Sequence, residues 1–182
     1  MNQLYKIFLV LTICLLVRPA NSQWIQKIAN SGQINGVAVS GNTVFAASAN
    51  HGLYRSTDNG ADWDSVSGGL LFSGFNCVAL NNGKVFLGTA GTNGSGSNGG
   101  IFTSTDNGAH WDTTMNGVPP VADYVICFAF SSSYVFAGMG FNGIYRSSDN
   151  GVTWQSADNG LPDTTVAVNC MAVNGNTIYV GL

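Results

Sequence analysis

Three segments of the sequence align with one another without gaps and share the pattern S-x-D-N-G-x-x-W. They begin at residues 52, 100 and 143, so successive copies are 48 and 43 residues apart. A second unit occurs four times, beginning at residues 34, 75, 125 and 168. Each of its copies reads as two short strands joined by a tight turn. A repeat with this period constrains the fold more than any other feature, because each copy must form one small structural unit.

Each repeat is predicted to contain four strands, A to D. Strands A and B are the two halves of the second unit, strand C leads into the motif serine, and strand D starts at the tryptophan. Four antiparallel strands at this period are typical of propeller blades, which predicts an all-β, β-propeller fold of four-stranded antiparallel blades. The composition agrees, because 8% charged residues and 24 glycines suit short strands and turns rather than solvent-facing helices.

The predicted propeller domain covers residues 23–182, with blades at about 34–67, 75–116 and 125–158 and a partial blade at 168–182. The segment 23–30 resembles a strand D with no A, B or C before it. We predict that it closes the last blade of the ring. A fourth motif should begin just after Leu182. We therefore expect the missing strands of the closing blade to lie beyond this residue. About three and a half blades of an expected 6–8 are then present, as the N-terminal part of a longer protein.

The S-x-D-N-G-x-x-W pattern resembles the Asp box, or BNR repeat, of a β-propeller superfamily. That superfamily includes sialidases, other glycoside hydrolases, sortilin-type receptors and photosystem assembly factors. The resemblance covers essentially the whole chain after residue 22. It implies that the motifs lie on turns between strands C and D, on the face opposite the active site. It specifies the fold better than the function, because one fold hosts many activities.

The residue types of the motif suit a tight turn. Asn-Gly supplies two residues that tolerate positive φ, the carboxylate can accept backbone N–H groups, and the serine adds a hydroxyl bond. The tryptophan is large enough to seal the hairpin onto the blade. The family often has threonine before the tryptophan, which Thr153 keeps and Asp62 and His110 do not. We predict a structural role, neither catalytic nor metal-binding, for Ser56, Asp58, Gly60, Trp63, Ser104, Asp106, Gly108, Trp111, Ser147, Asp149, Gly151 and Trp154.

Three cysteines share one column of the strand A alignment. They are Cys77, Cys127 and Cys170, and the first copy has Gly36 in the same column. Such a column predicts a small, buried side chain, and we favour this interpretation over a disulfide or a metal site. The two histidines are scattered along the chain. No metal and no cofactor is predicted.

The first 22 residues read as a secretory signal peptide. Lys6 precedes an apolar run over residues 7–17, and Ala20-Asn21-Ser22 fits a cleavage site before Gln23. The run is too short to span a bilayer about 30 Å thick, so no membrane insertion is expected after its removal. The remaining chain has four basic residues and nine aspartates, which argues against a nucleic-acid partner. We expect a secreted, periplasmic or cell-surface protein.

The B–C and D–A loops share the other face of the predicted ring, the face that holds ligands in related propellers. Candidate ligand-binding residues on this face are His51, Phe72, Asp123, Tyr124, Phe141, Asn142 and Asp163. Asp123 and Asp163 are the only acids that the alignment places there, and a glycosidase needs two carboxyl groups around the scissile bond. Arg55 and Arg146 share one strand C column and the chain has no glutamate, which disfavours sialidase chemistry.

The sequence leads to three hypotheses about function. The first is a non-catalytic propeller that binds a glycan, a peptide or an extracellular protein, because the repeats are near-uniform and no acids and bases converge. The second is an aspartate-dependent glycoside hydrolase, with an exo-sialidase favoured less. The third is an assembly factor for a membrane complex, which rests on the resemblance alone. The question of an enzyme stays open, and we prefer the binding module.

Overall fold

The computed structural model describes residues 31–70, 74–89, 99–119, 124–162 and 167–182. These ranges contain strands and turns and no helix. The fourteen strands are β1 Ile34–Ser40, β2 Thr43–Ser48, β3 Leu53–Ser56, β4 Asp64–Ser65, β5 Phe75–Asn81, β6 Lys84–Thr89, β7 Ile101–Ser104, β8 Asp112–Thr113, β9 Val125–Phe130, β10 Val135–Met139, β11 Ile144–Ser147, β12 Gln155–Ser156, β13 Cys170–Asn174 and β14 Thr177–Gly181. The predicted signal peptide and the predicted closing strand at 23–30 lie outside the described residues.

The strands form four antiparallel sheets in chain order. Sheet I contains β1–β4, sheet II β5–β8, sheet III β9–β12, and sheet IV the pair β13–β14. Within the first three sheets each strand pairs with the next one along the chain. The first strands of successive sheets, β1, β5, β9 and β13, contact one another, so the sheets stack side by side around them. The prediction of an all-β fold of four-stranded antiparallel blades is confirmed, as an incomplete ring.

The same irregularity recurs at the start of the first strand of three sheets. Pairing skips one residue at Asn35 in sheet I, at Asn76 in sheet II and at Ile126 in sheet III. A bulge of this kind bends a strand and re-aims its side chains. The Asn35 amide thereby reaches the next sheet, where its Nδ2 donates to the Phe75 carbonyl oxygen at 3.0 Å.

The hydrophobic core lies between sheets rather than within any one of them. Phe86 of sheet II is fully buried and packs on Phe128 and Phe130 of sheet III, with ring centroids 5.7 and 5.5 Å apart. Phe45 of sheet I takes the equivalent place against sheet II, in a cluster that includes Val78. Because each sheet buries its faces against its neighbours, the stack is stabilised interface by interface.

The cysteine column is explained by close packing between strands. Cys77 faces Gly88, Cys127 faces Gly138, and Cys170 faces Gly181 across the first hairpin of their sheets. All three thiols are free, and burial raises the pKa of Cys127 to about 11. In sheet I the pair is instead Gly36 with Ala47. Sheets I to III thus accept one small side chain per pair, on either strand. The prediction of a buried side chain is wrong for Cys170, which is exposed because no described sheet packs on the outer side of sheet IV.

Candidate functional site

The three motif turns close on themselves through side-chain hydrogen bonds. We call residues 56–63, 104–111 and 147–154 the DNG turns. In the first, Asn59 and Gly60 have φ of 61° and 83°, and Ser56 Oγ accepts from the Gly60 N–H at 2.8 Å while donating to Asp58 at 2.7 Å. The other two DNG turns repeat both bonds and both positive φ values. The asparagine and glycine are needed because other residues rarely adopt this backbone.

The three DNG-turn carboxylates differ in how the second oxygen is held. Thr153 Oγ1 donates to Asp149 Oδ2 at 2.6 Å. His110 Nδ1 lies 2.6 Å from Asp106 Oδ2, so the histidine takes the place of the threonine. At Asp58 the backbone N–H of Asp62 lies 3.0 and 3.1 Å from the two oxygens. All three turns therefore form, although only one keeps the threonine.

These hydrogen bonds hold the carboxylates in the anionic form. The backbone N–H of Asp62 and the Ser56 hydroxyl lower the pKa of Asp58. The backbone N–H and ring of His110 lower the pKa of Asp106 well below its ordinary value. The hydroxyls of Ser147 and Thr153 do the same for the pKa of Asp149. A carboxylate so stabilised is a poor proton donor near neutral pH, and its geometry is that of a turn cap.

The tryptophans of the second and third DNG turns contact the preceding sheet. Trp111 Nε1 donates to the Val66 carbonyl oxygen at 3.1 Å, which links sheet II to sheet I. Trp154 is 2% exposed, and its backbone N–H donates to the Asn116 carbonyl oxygen at 2.8 Å. Trp63 instead donates to the Gly60 carbonyl of its own turn at 3.1 Å. The tryptophans of sheets II and III thus fasten neighbouring sheets together.

The arginines and one lysine belong to the same side of the molecule. Arg55 donates to the Asn107 carbonyl oxygen and Lys84 to that of Asn150, both at 2.9 Å, so each cation reaches the DNG turn of the next sheet. The Arg146 guanidinium lies 5.3 Å from the ring centroid of Tyr134. The first two contacts join neighbouring repeats and the third lies within sheet III, and the three cations do not form a carboxylate clamp.

The opposite ends of the sheets carry the predicted ligand face. We call this the loop face; it includes the β2–β3 connection at 49–52 and the β10–β11 connection at 140–143. Tyr124 and Phe141 meet there edge to face, with ring centroids 5.9 Å apart and planes at 88°. The Gly140 N–H donates to the Tyr124 carbonyl oxygen at 2.9 Å, which fixes the two segments together. Phe141 remains 65% exposed, and Asn142 follows it.

His51 lies on the same face but in sheet I. Its backbone N–H and that of Asn50 donate to Ser48 Oγ at 3.1 and 3.3 Å, and its ring rests over Gly32, where an added Cβ would come within 2.7 Å of Nδ1. The structure therefore brings Tyr124 and Phe141 together, with Asn142 beside them, and places His51 two sheets away. The remaining candidates, Phe72, Asp123 and Asp163, lie outside the described residues.

One acid on the loop face was missed by the sequence analysis, which placed only Asp123 and Asp163 there. Asp158 Oδ1 accepts from the Ile144 N–H at 2.5 Å and Oδ2 from the Ser156 hydroxyl at 2.7 Å. In sheet I the aligned Ser67 Oγ accepts from the Leu53 N–H at 2.7 Å. Asp158 thus caps the first amide of β11, and both of its oxygens are occupied.

The part of the chain that the structure describes contains no set of metal ligands. No group of three histidine, cysteine or aspartate side chains is arranged there to hold an ion. None of the described residues forms a helix long and apolar enough to cross a membrane.

No family model and no curated protein sequence matches the chain. Solved structures match the chain at low sequence identity. The extracellular domain of a B. thetaiotaomicron protein assigned to a hybrid two-component system matches 81% of this chain and 19% of its own, at 14% identity and a TM-score of 0.63. The GH74 xyloglucanase from Xanthomonas campestris matches 76% of this chain and 24% of its own, at 17% identity and a TM-score of 0.56.

The chain is a β-propeller. YCF48 bound to D1 peptide is similar over 82% of this chain and 47% of its own, at 15% identity and a TM-score of 0.54. The propeller thus spans less than half of the length of each of these three proteins. At identities this low the likeness concerns the fold alone, so the activities of those proteins are not transferred with it.

Proposed function

We propose that this propeller is a non-catalytic extracellular binding module that holds a glycan, peptide or protein partner on its loop face. The observation that carries the proposal is the exposed Phe141 ring, held edge to face by Tyr124. An aromatic ring that is fixed before binding offers a large apolar surface at little cost in conformational entropy. Loops on a rigid scaffold are where propellers and other β folds carry their binding residues.

The surroundings of the pair suit a partner with both apolar and polar groups. Asn142 can donate and accept hydrogen bonds next to the ring, and it is followed by Gly143 with φ of 64°, so the loop tip is held in a tight turn. The apolar C–H face of a sugar, or an aliphatic or aromatic side chain of a peptide, can lie on Phe141 while its polar groups reach the amide. The ring is thus the apolar anchor of the proposed site and the amide its polar group.

A binding role fits the chemistry of the acids better than catalysis. The carboxylates of the DNG turns are anionic caps on the other face, and both oxygens of Asp158 accept hydrogen bonds. A glycosidase needs one carboxyl group that can give a proton and a second on the other side of the bond. The predicted signal peptide and the extracellular domain among the similar structures support a location outside the cytoplasm.

Substitution of Phe141 tests this proposal. The purified propeller is screened against soluble polysaccharides and a peptide array, and each hit is measured again with Phe141→Ala and with Tyr134→Ala. Tyr134 is the matched control, because it is a partly exposed aromatic residue at 37% in a turn on the opposite face. We expect Phe141→Ala to weaken binding about 30-fold or more, as for a central aromatic anchor, and Tyr134→Ala to leave it unchanged. A Phe141→Ala protein that binds as tightly as the Tyr134→Ala control would exclude the loop face as the site.

The likeness to a xyloglucanase favours glycoside hydrolysis as the second candidate function. Its acids would be Asp123 and Asp163, which lie outside the described residues. Turnover of a polysaccharide that is lost in Asp123→Asn or Asp163→Asn would replace the binding proposal with this one. The third candidate, an assembly factor for a membrane complex, draws on the likeness to YCF48 bound to D1 peptide. It predicts recovery of one defined partner in a pull-down that fails with Phe141→Ala.

A further inference from the structure

We propose that Asp158 is a specificity-determining residue of the loop face, and that its carboxylate makes the site bind uncharged glycans in preference to anionic ones. This inference rests on the proposed binding role of Phe141. Two features of the molecule support it: the carboxylate lies against the Phe141 loop, and no cation pairs with it among the described residues.

The Asp158 carboxylate is fixed directly beneath the loop that carries Phe141. A Cβ added to Gly143 would collide with Asp158 Oδ1, so the carboxylate packs against the backbone two residues after Phe141. The same oxygen accepts a hydrogen bond from the Ile144 N–H, the first amide of β11. The charge is therefore held close to the aromatic anchor of the proposed site.

Among sheets I to III, only sheet III has a charged side chain at this position. The aligned residues are Ser67 in sheet I and Met115 in sheet II, and each lies against the equivalent loop glycine, Gly52 or Gly100. In each of the three sheets this side chain accepts from the first amide of the third strand. The cap therefore does not require a charge, and the carboxylate of Asp158 occurs in the sheet that also carries the aromatic pair.

No cation offsets this charge in the part of the chain that the structure describes. The one ion pair there joins Asp106 to His110 on a DNG turn, and His51 on the loop face lies two sheets away. The stretches between the described ranges contain no lysine or arginine. Within those ranges, such residues contact a DNG turn or a turn on the same side of the molecule. They are Arg55, Lys84 and Arg146.

A fixed carboxylate without a paired cation selects against ligands of the same charge. The two hydrogen bonds that Asp158 accepts stabilise its charge but do not cancel it. For a ligand carboxylate about 8 Å away, the repulsion near a protein surface at physiological salt weakens binding about 5-fold. Sugars with uronate, sialate or sulfate groups should therefore bind less tightly than uncharged sugars of the same backbone.

The aromatic anchor favours a sugar over a peptide side chain. Phe141 is 65% exposed, and its ring meets that of Tyr124 with the two planes at 88°. An open ring matches the flat C–H face of a pyranose, whereas an apolar peptide side chain contributes most when it fills a desolvated pocket. An uncharged glycan thus fits both the ring and the charge beside it.

A glycan array with neutral, carboxylated and sulfated members tests this inference. One neutral ligand from the array is then compared, by calorimetry, with its own derivative in which primary alcohols are oxidised to carboxylates. We expect the wild type to bind the neutral form at least about 5-fold more tightly, and Asp158→Ser and Asp158→Asn to bind both forms within about twofold. In about 1 M salt the wild-type preference should shrink to about twofold or less, because the screening length falls to about 3 Å.

Asp62→Ser is the matched control, because it removes the same charge from a DNG turn on the opposite face. It should keep the wild-type preference, and urea unfolding of each variant checks that the sheets still form. Anionic glycans among the tightest ligands of the array would overturn the inference, as would a preference that both Asp158 variants retain. If only peptides bind, and Phe141→Ala abolishes their binding, this inference fails while the proposed function stands. If no ligand depends on Phe141, both fail.

Discussion

Gly88→Ala should destabilise the propeller, because β6 has no room for a methyl group at this position. A Cβ on Gly88 would lie 2.5 Å from Cys77 Sγ and 2.8 Å from Val125 Cβ. Val125 is fully buried in sheet III, and Cys77 pairs directly with Gly88 across the first hairpin of sheet II. The Cys77 thiol could turn away about χ1, but the Val125 Cβ is fixed to its own backbone, so the backbone of one strand must shift. Overpacking of this kind costs roughly 1–3 kcal/mol.

The first sheet shows which second change should compensate. There the pair is Gly36 with Ala47, so the methyl group is on the second strand and the first strand has none. Cys77→Gly alone should cost about 1–2 kcal/mol through lost burial and a more flexible strand. Independent sites would give the double variant a loss of about 2–5 kcal/mol. Both changes alter the same space between the two strands. We therefore expect the double variant to be more stable than the sum of the single losses predicts, by at least about 1 kcal/mol.

Urea unfolding followed by tryptophan fluorescence gives the free energies of unfolding for all four proteins of this cycle. Gly68→Ala is the matched control, because no atom lies within 4 Å of its Cβ position and its backbone is not left-handed. It should be neutral or slightly stabilising. The reasoning would be refuted by additive losses in the double variant, or by a Gly88→Ala protein as stable as the Gly68→Ala control.

Two further predictions concern side-chain hydrogen bonds. The lowered pKa of Asp106 and Asp149 means that their bonds stabilise the fold fully above the unfolded-state value of about 3.9 and lose this effect as the pH falls toward the folded-state value. The urea midpoint should therefore be constant from about pH 7 to about pH 5 and decrease below about pH 4. The decrease should be less steep in Asp149→Asn, and a decrease that begins above about pH 5 would contradict this prediction. Asp158→Ala should lower the free energy of unfolding by about 1–3 kcal/mol, because the Ile144 amide loses its partner. Asp158→Ser should recover most of that loss, as Ser67 serves in sheet I, and equal losses would exclude the capping role.

The fold could be predicted from the sequence because the same turn and strand residues recur in every repeat. Asn-Gly recurs at the two turn positions with positive φ, as at Asn59 and Gly60, and the strand pattern recurs around it. One such match would be weak, but three copies in register leave little choice of architecture. Sheet I pairs Gly36 with Ala47 where sheet II pairs Cys77 with Gly88. This exchange within the pair could not be foreseen, because it depends on the strand register that sets the two positions opposite each other.

The candidate site was predicted less completely, for physical reasons that differ between residues. Asp158 was missed because its column holds Ser67 and Met115, which share the role of acceptor for a strand amide but not a chemical type. His110 was set aside as a departure from threonine, yet its ring reaches the same carboxylate oxygen. Both roles depend on the reach of a side chain, which a pattern of residue types does not encode.

Comparison of sheets I and III shows where this propeller has changed while its backbone has not. The Ala49 N–H donates to the Gln33 carbonyl oxygen at 2.8 Å, and the Gly140 N–H donates to that of Tyr124 at 2.9 Å, so one backbone bond holds both loops. The DNG turns keep their serine, aspartate, asparagine, glycine and tryptophan in every copy. In this loop, by contrast, Gln33 and Asn50 of sheet I are replaced by Tyr124 and Phe141 in sheet III. A position whose side chain differs between repeats while its backbone hydrogen bond is kept can take on a binding role without loss of the fold. We therefore expect the ligand to be selected at Phe141 rather than at the motif that defines the fold.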